Sequence, residues 1–293
     1  MRDIFSNRWL PYLLLAPSAL LVLAFFVVPA VQSLHLSLYR VHALSGRALY
    51  VGLENFTRLL SSDEYLNSLG VTVLFTAFVV LVGIALSLLL AVGASQNIRG
   101  FGLYRTLLIW PYALSPAIAG TIWALLADPT IGALTRSLER LGIDFNRLNN
   151  PTHAVLFVCL AATWKIMGYN TVFFLVGLKH IPRDTHEAAA LDGANAWVRF
   201  WRITLPLLSP VTLFLVIVNT LYACFETFGL IDITTQGGPG RTTNVLVYKL
   251  YSDGFKSASL TGSAAAQSIL LLVFVTALTV VQFRVGGKRT FYQ

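Results

Sequence analysis

Six stretches of this chain, roughly 10–34, 67–94, 106–127, 154–178, 207–229 and 263–283, are apolar over a length that can cross a lipid bilayer. A spanning helix needs about 20 mostly apolar residues, because the hydrocarbon core is about 30 Å thick and each helical residue rises about 1.5 Å. Prolines fall inside several of the stretches: Pro11, Pro17 and Pro29 in the first, Pro111 and Pro116 in the third, Pro210 in the fifth. In water they would argue for broken helices. In a bundle they are tolerated as kinks, because neighbouring helices satisfy the freed backbone groups. The expectation is an all-α, polytopic membrane protein: six transmembrane helices forming one domain over residues 1–293, embedded in lipid. The charged fraction is 12%, half the share usual in soluble domains, so neither a water-soluble globule nor a disordered chain fits.

The first stretch follows Arg2 and Arg8 and could pass for a secretory signal. It is too long for a signal core of about 7–15 residues and carries prolines, so it reads as a retained helix. The net charge of +8 follows from topology. With the N-terminus inside, pieces 1–9, 95–105, 179–206 and 284–293 lie in the cytoplasm. Those 58 residues hold eleven Lys and Arg, against nine in the 91 residues of the outside loops 35–66, 128–153 and 230–262. This is the positive-inside asymmetry, and it removes the reason to invoke nucleic acid. Both termini are expected in the cytoplasm.

Residues 179–206 form the longest inside piece, and they are built to fold. Pro182 stops the preceding helix, and Asp184 and Glu187 stand at capping-box spacing, so a helix is expected to start there. Ala188, Ala189, Ala190 and Leu191 favour helix. Gly193 can supply the left-handed residue that ends it. A second short helix is expected from about 195 to 203, ending before Pro206. Ala188, Leu191, Trp197 and Phe200 would give this helical hairpin an apolar face. Composition alone leaves open a hairpin resting on lipid.

The spacing of Glu187-Ala188-Ala189, Gly193, and Ile203, Leu205 and Pro206 resembles the cytoplasmic signature of permease subunits of binding-protein-dependent, ATP-driven importers. Three further pieces are similar to the carbohydrate branch of that family: 8–14, Val51 to Phe56, and Gly237-Gly238-Pro239 with Thr242 and Thr243. Within the branch, 228–232, 248–251 and the C-terminal 280–293 look most like permeases of sn-glycerol-3-phosphate importers. The resemblance implies the type I importer permease fold in a bacterial inner membrane, with that compound or a related sugar or polyol as cargo. It implies three partners: a second homologous permease, an ATP-binding cassette ATPase dimer, and a periplasmic or other extracytoplasmic substrate-binding protein. It also implies that the first short helix docks in a groove of the ATPase through Glu187, that Gly193 forms the bend, and that ATP and Mg²⁺ belong to that partner. The loops containing Glu54 and Gly237 to Pro239 would receive substrate outside.

The chain has no phosphate-binding loop of its own. Gly286-Gly287-Lys288-Arg289 lacks the hydroxyl residue after Lys, and Gln282 stands where the first glycine should be. Cys159 and Cys224 lie in apolar runs, and the five histidines show no metal-ligand spacing, so no cofactor or metal is expected in this chain. Within the spans the charged residues are few. Lys165 sits about 18 Å below the outer face, whereas Glu226 sits about 30 Å above the inner face, near the outer boundary. An intramembrane cation must face protein or water. Asn219, Tyr222 and Glu226 share a helix face at i, i+3 and i+7. Lys165, Tyr169 and Asn219 could line a midplane cavity in which Lys165 offers its charge to a phosphorylated substrate. The other reading makes Lys165 a structural partner of Glu226 or of backbone carbonyls. A membrane enzyme would need more convergent polar groups. An ion-coupled secondary transporter would not need the long inside loop.

Overall fold

The computed structural model describes residues 9–41, 48–95, 101–256 and 261–287. Arg2, Arg8, Arg99, Lys288 and Arg289, which carry part of the charge asymmetry, and His42 lie outside the described residues. The described residues group into two compact units, one of residues 1–62 and 250–272, the other of 63–249 and 273–293.

In the first unit, α1 (Leu10–Val22) passes through a π-helical turn at Leu23–Val27 into α2 (Val28–Ser37). Pro17 stays inside α1, and Pro29 follows directly on the π-helical turn, a common place for a proline within a continuous helical path. The span has mean hydropathy 2.5 and none of its most apolar window is buried within the chain, so lipid or a neighbouring subunit must cover it. Strands β1 (Tyr39–Val41) and β2 (Ala48–Tyr50) pair antiparallel, Tyr39 opposite Tyr50, and α3 (Glu54–Leu60) follows. The buried Asn55 amide donates to the carbonyls of Ser37 (2.7 Å) and Tyr39 (3.0 Å), stitching the end of α2 to the strand. Arg40 and Glu54 form an ion pair. Gly262 backs onto the Tyr39 carbonyl so closely that a Cβ would lie 1.9 Å from its oxygen.

The second unit is built on α4 (Asp63–Ala94) and α8 (Pro151–His180). Phe75, Val79, Phe157, Ile166 and Tyr222 form one core between them, and Ala91, Phe174, Leu208 and Leu215 a second towards the other end. The expected third span, 106–127, is α5 (Phe101–Ala113) and α6 (Pro116–Leu126), set at 102° to one another. Pro111 remains within α5, whereas Pro116 breaks the helix instead of kinking it. It forces Ser115 into an extended conformation (ψ 151°), and the Ser115 hydroxyl then caps a new helix by accepting from the Ile118 N–H at 3.3 Å. At Gly168 a Cβ would stand 1.6 Å from the Leu108 carbonyl oxygen, so α5 and α8 cross there with backbones in contact.

Beyond α6 come α7 (Ala133–Arg140), the loop to α8, and then α9 (Arg183–Leu191), α10 (Ala196–Arg199), α11 (Leu205–Leu207), α12 (Ser209–Leu221) and α13 (Phe228–Thr234). α14 (Leu246–Tyr251) and α15 (Thr261–Gly287) complete the chain. The expected fifth span, 207–229, runs through α12 and a π-helical turn at Tyr222–Glu226, then breaks at Thr227. Among the described residues, five helices are long and apolar enough to cross a membrane, or six if the bent α5–α6 pair counts as one span. The fold is all-α as expected, and β1–β2 is the one strand pair among the described residues.

Candidate functional site

The 179–206 loop folds as two short helices joined at Gly193. α8 ends at His180, Ile181 turns extended before Pro182, and α9 begins at Arg183. The expected capping box does not form. Pro182 occupies the N-cap position with ψ 135°, no side chain caps the end, and Asp184 sits inside the first turn. There its charge complements the helix dipole. The C-terminal end is as the sequence indicates. Gly193 adopts φ +81°, its N–H bonds the Ala190 carbonyl at 3.1 Å, and the Ala194 N–H bonds the Ala189 carbonyl at 2.9 Å, which together make a Schellman motif. Asn195 caps α10 by accepting from the Val198 N–H at 2.9 Å.

The second helix does not stop before Pro206. A π-helical turn at Phe200–Thr204 carries the backbone into α11, with Pro206 in that helix's first turn. The wider turn brings the Leu205 N–H to the Phe200 carbonyl, five residues back. It thereby relaxes the i−4 clash that a proline otherwise imposes. The helical path is therefore nearly unbroken from Ala196 to Glu226.

No residue of α9 is buried. Glu187 and Ala188 are exposed, Ala189 is half-buried, Leu191 is 90% exposed and Trp197 69% exposed. Ile203, Leu205 and Pro206 are half-buried at the root of the hairpin. Arg199 donates to the His186 carbonyl at 3.4 Å and so ties the two short helices together. The loop thus presents Ala188, Leu191 and Trp197 together with three exposed carboxylates, Asp184, Glu187 and Asp192, and it turns at the left-handed Gly193.

In the spans, Lys165 is 3% exposed, and its ammonium stands over the rings of Tyr112 (5.4 Å) and Tyr222 (5.5 Å). Among the described residues no ion pair joins it to Glu226, which is exposed. Tyr169 stacks on Tyr112 with ring centroids 4.7 Å apart. Tyr112 and Tyr222 therefore flank Lys165, and Tyr169 stacks on Tyr112, an aromatic box whose Tyr112 sequence reasoning missed. Asn219 is engaged elsewhere. Its amide exchanges two hydrogen bonds of 2.9 Å with Asn170 and donates a third to the Leu215 carbonyl at 2.6 Å, fully buried. The Tyr222 hydroxyl donates to the Ala162 carbonyl at 3.3 Å.

The loop after α13 holds Gly237 (φ +78°) and Gly240 (φ +59°) in the left-handed region. Thr243 donates to the Gly238 carbonyl at 2.8 Å, and Thr242 to the Pro239 carbonyl at 2.7 Å. Beneath this loop a cavity of 350 Å³ opens between Asn67, Leu74, Phe75, Val158, Thr242 and Thr243. Glu64 binds both Arg241 and Lys249, tying the loop to the start of α4.

Sequence reasoning also missed Arg147, counted as an ordinary loop charge. It is buried, and its guanidinium donates to the carbonyls of Ala127 (3.3 Å), Ala124 (3.4 Å) and Thr234. It thus clamps the C-terminal ends of α6 and α13, where the helix dipoles favour a cation. Burial pushes its pKa down, with the Asp128 charge acting against that. Asp128 itself is drawn down to about 2 by hydrogen bonds from the Thr130 hydroxyl and from the Ile131 and Thr130 N–H groups. Among the described residues no group of three His, Cys, Asp or Glu side chains is placed to hold a metal ion.

Residues 83–289 match the family described as "Binding-protein-dependent transport system inner membrane component". The chain is 48% identical over 289 residues to the sn-glycerol-3-phosphate transport system permease protein UgpA of Agrobacterium fabrum, covering 99% of this chain and 98% of that one. It is 43% identical over 289 residues to UgpA of Yersinia pestis, with the same coverage. Among solved structures, a bacterial ABC transporter involved in the import of the acidic polysaccharide alginate superposes with TM-score 0.79 at 20% identity, over 96% of each chain. The same transporter type, solved in complex with an alginate pentasaccharide-bound periplasmic protein, gives TM-score 0.79 at 21% identity, over 94% of this chain and 93% of that one.

Proposed function

The chain belongs to the family of inner-membrane components of binding-protein-dependent transport systems, and from that premise we propose that it conducts sn-glycerol 3-phosphate inward, driven by a separate ATPase. The observation that carries the reading is α9: a helix with no buried residue, fixed by a Schellman turn, on the 179–206 loop that the Lys and Arg density favours as cytoplasmic. A partner groove is the economical cover for Ala188 and Leu191, with Glu187 meeting a basic or hydrogen-bonding group on its rim. Ala189 lets the partner backbone approach. Gly193 sets the angle, and Ile203, Leu205 and Pro206 root the hairpin in the membrane part. ATP and Mg²⁺ are bound by that partner. A second, homologous permease completes the pore and covers the apolar outer face, and an extracytoplasmic binding protein delivers cargo to the loops at Glu54 and at Gly237 to Pro239. Both termini lie in the cytoplasm.

The cargo follows from the relatives' shared name and from Lys165. A cation held between two aromatic faces, with Glu226 acting on it only from beyond ion-pair range among the described residues, is a charge poised for an anion. Lys165 is buried in this conformation, so phosphate reaches it only when α8 and α12 part during the cycle. Tyr169 and Tyr222 shape the passage, Asn219 holds its wall, and Glu226 lies at its mouth. The test is uptake of radiolabelled sn-glycerol 3-phosphate by the assembled transporter. Lys165→Arg is expected to retain uptake and Lys165→Met to lose at least about tenfold, the effect of one charge-assisted hydrogen bond. Full uptake by the Met variant removes the substrate role. An Ala189→Cys variant that never crosslinks to an ATP-binding subunit while import is brisk removes the coupling role.

A further inference from the structure

A cavity of 550 Å³ lies at the base of the hairpin, separate from the aromatic box and from the exposed face of α9. Its charged lining is all of one sign: Lys179, Arg183 and Arg199 contribute to its wall beside the polar His186, Ser95 and Thr204, and among the described residues no carboxylate does. Its apolar lining includes Val92 and Leu178. Val92 is in the last turn of α4, and Leu178 in the last turn of α8. Both helices are spans, so the cavity sits where hydrocarbon gives way to headgroups. Arg199 is held in place by its bond to the His186 carbonyl, which fixes a planar donor fork ahead of any ligand. Two guanidinium groups and an ammonium lining one cavity are the chemistry that binds phosphate, and a guanidinium fork matches two phosphate oxygens. Basic pockets at the ends of spanning helices bind anionic headgroups for this reason.

We propose that this cavity binds the phosphate of an anionic phospholipid headgroup, with Arg183 and Arg199 as the principal donors. The depth argues for lipid over a free anion: two of the walls are the end turns of membrane-spanning helices, and apolar side chains there would meet the glycerol and upper acyl carbons. The same ligand would brace the root of α9 and α10 against the ends of α4 and α8, so the hairpin would move with those spans and not independently of them. This site is distinct from the docking face proposed for α9, and its test does not need the ATPase.

The experiment uses the full chain, purified and delipidated in detergent, with native mass spectrometry against phosphatidylglycerol and phosphatidylcholine. Phosphatidylglycerol is expected to bind preferentially, about thirtyfold weaker in the Arg183→Gln/Arg199→Gln variant and about fivefold weaker in Arg183→Gln alone, with phosphatidylcholine unchanged. Arg202→Gln, on the same segment but outside the cavity lining, is expected to bind as the parent does. Where the double variant fails to fold, judged by thermal unfolding, the exposed Arg183→Gln decides. Equal phosphatidylglycerol affinity in the variants overturns the proposal. So does displacement of phosphatidylglycerol by millimolar inorganic phosphate, which would make this a free-anion site.

Discussion

Replacing Asn219 with Ala removes three hydrogen bonds at once, two of them shared with Asn170. Both amides are fully buried, in helices α8 and α12. An orphaned buried polar group costs about 1–3 kcal/mol, whereas removing both members of a pair can approach neutrality. In membrane proteins the unfolded reference also finds partners, and individual interhelical hydrogen bonds measure about 0.6 kcal/mol with a ceiling near 1.7. Two such bonds between Asn170 and Asn219 therefore set an expected coupling of about 1–2 kcal/mol. Each single Ala variant is expected to lose about 2 kcal/mol, and the double variant clearly less than the sum. The cavity terms enter the singles and the double alike, so the cycle isolates the amide pair. The assay is reversible unfolding of the purified chain in mixed detergent and dodecyl sulfate micelles. If the double variant equals the sum of the singles within about 0.5 kcal/mol, the pair is not a coupled unit, and the assignment of Asn219 to wall-holding fails with it. The outcome also separates two roles for Asn219. A wall-holding residue loses transport in proportion to stability, whereas a substrate contact raises KM in a variant whose stability is unchanged.

Gly193 has open space where a Cβ would go, so a substitution there meets only its backbone conformation, φ +81°. Asn is expected to be tolerated and Val to cost about 1–2 kcal/mol of local order, seen as fewer substrate molecules imported per ATP hydrolysed; an unchanged ratio in Gly193→Val would remove the bend from the coupling path. Asp128 is held at about 2 against an ordinary 3.8. A depressed carboxyl stabilises its fold above the unfolded value and loses that contribution as pH falls through the folded one, so the Thr130–Ile131 turn is expected to persist at pH 4 and open near pH 2. A carbon-13 titration of Asp128 with its midpoint near 3.8 would contradict this.

The sequence carried the spans because lipid thickness acts on every residue of a segment, and an apolar run of that length has few other uses. It carried α9 for a different reason. Gly193 and the alanines before it are local determinants, and the Schellman turn needs nothing from the rest of the chain. What it could not carry depended on partners distant in sequence. Pro116 reads as a kink until the Ser115 cap is seen to start a new helix. Pro206 reads as a stop until the π turn before it absorbs the clash. Arg147 looks like one more loop charge, because its three carbonyl acceptors lie 20 to 87 residues away. Tyr112 and Asn170 are ordinary span residues by position, and only the packing of α5 and α12 against α8 gives them Lys165 and Asn219 as neighbours.

The two π-helical turns bear on how a push at α9 would travel. From Ala196 to Glu226 the backbone is helical apart from a single turn residue at Leu208, with π turns at Phe200–Thr204 and Tyr222–Glu226. A helix is stiff along its axis, and a π turn is one of the few places where helices kink. The first lies at the root of the hairpin. The second begins at Tyr222, under Lys165, three residues past the Asn219–Asn170 pair. A displacement of α9 would therefore be carried along α12 as a rigid body, with bending concentrated at its two ends. Packed cores switch between discrete arrangements more readily than they deform, and the amide pair between α8 and α12 is the kind of directional contact that holds one such arrangement. On this account the box around Lys165 would open because α12 pivots at Tyr222–Glu226, and not because Lys165 moves along α8.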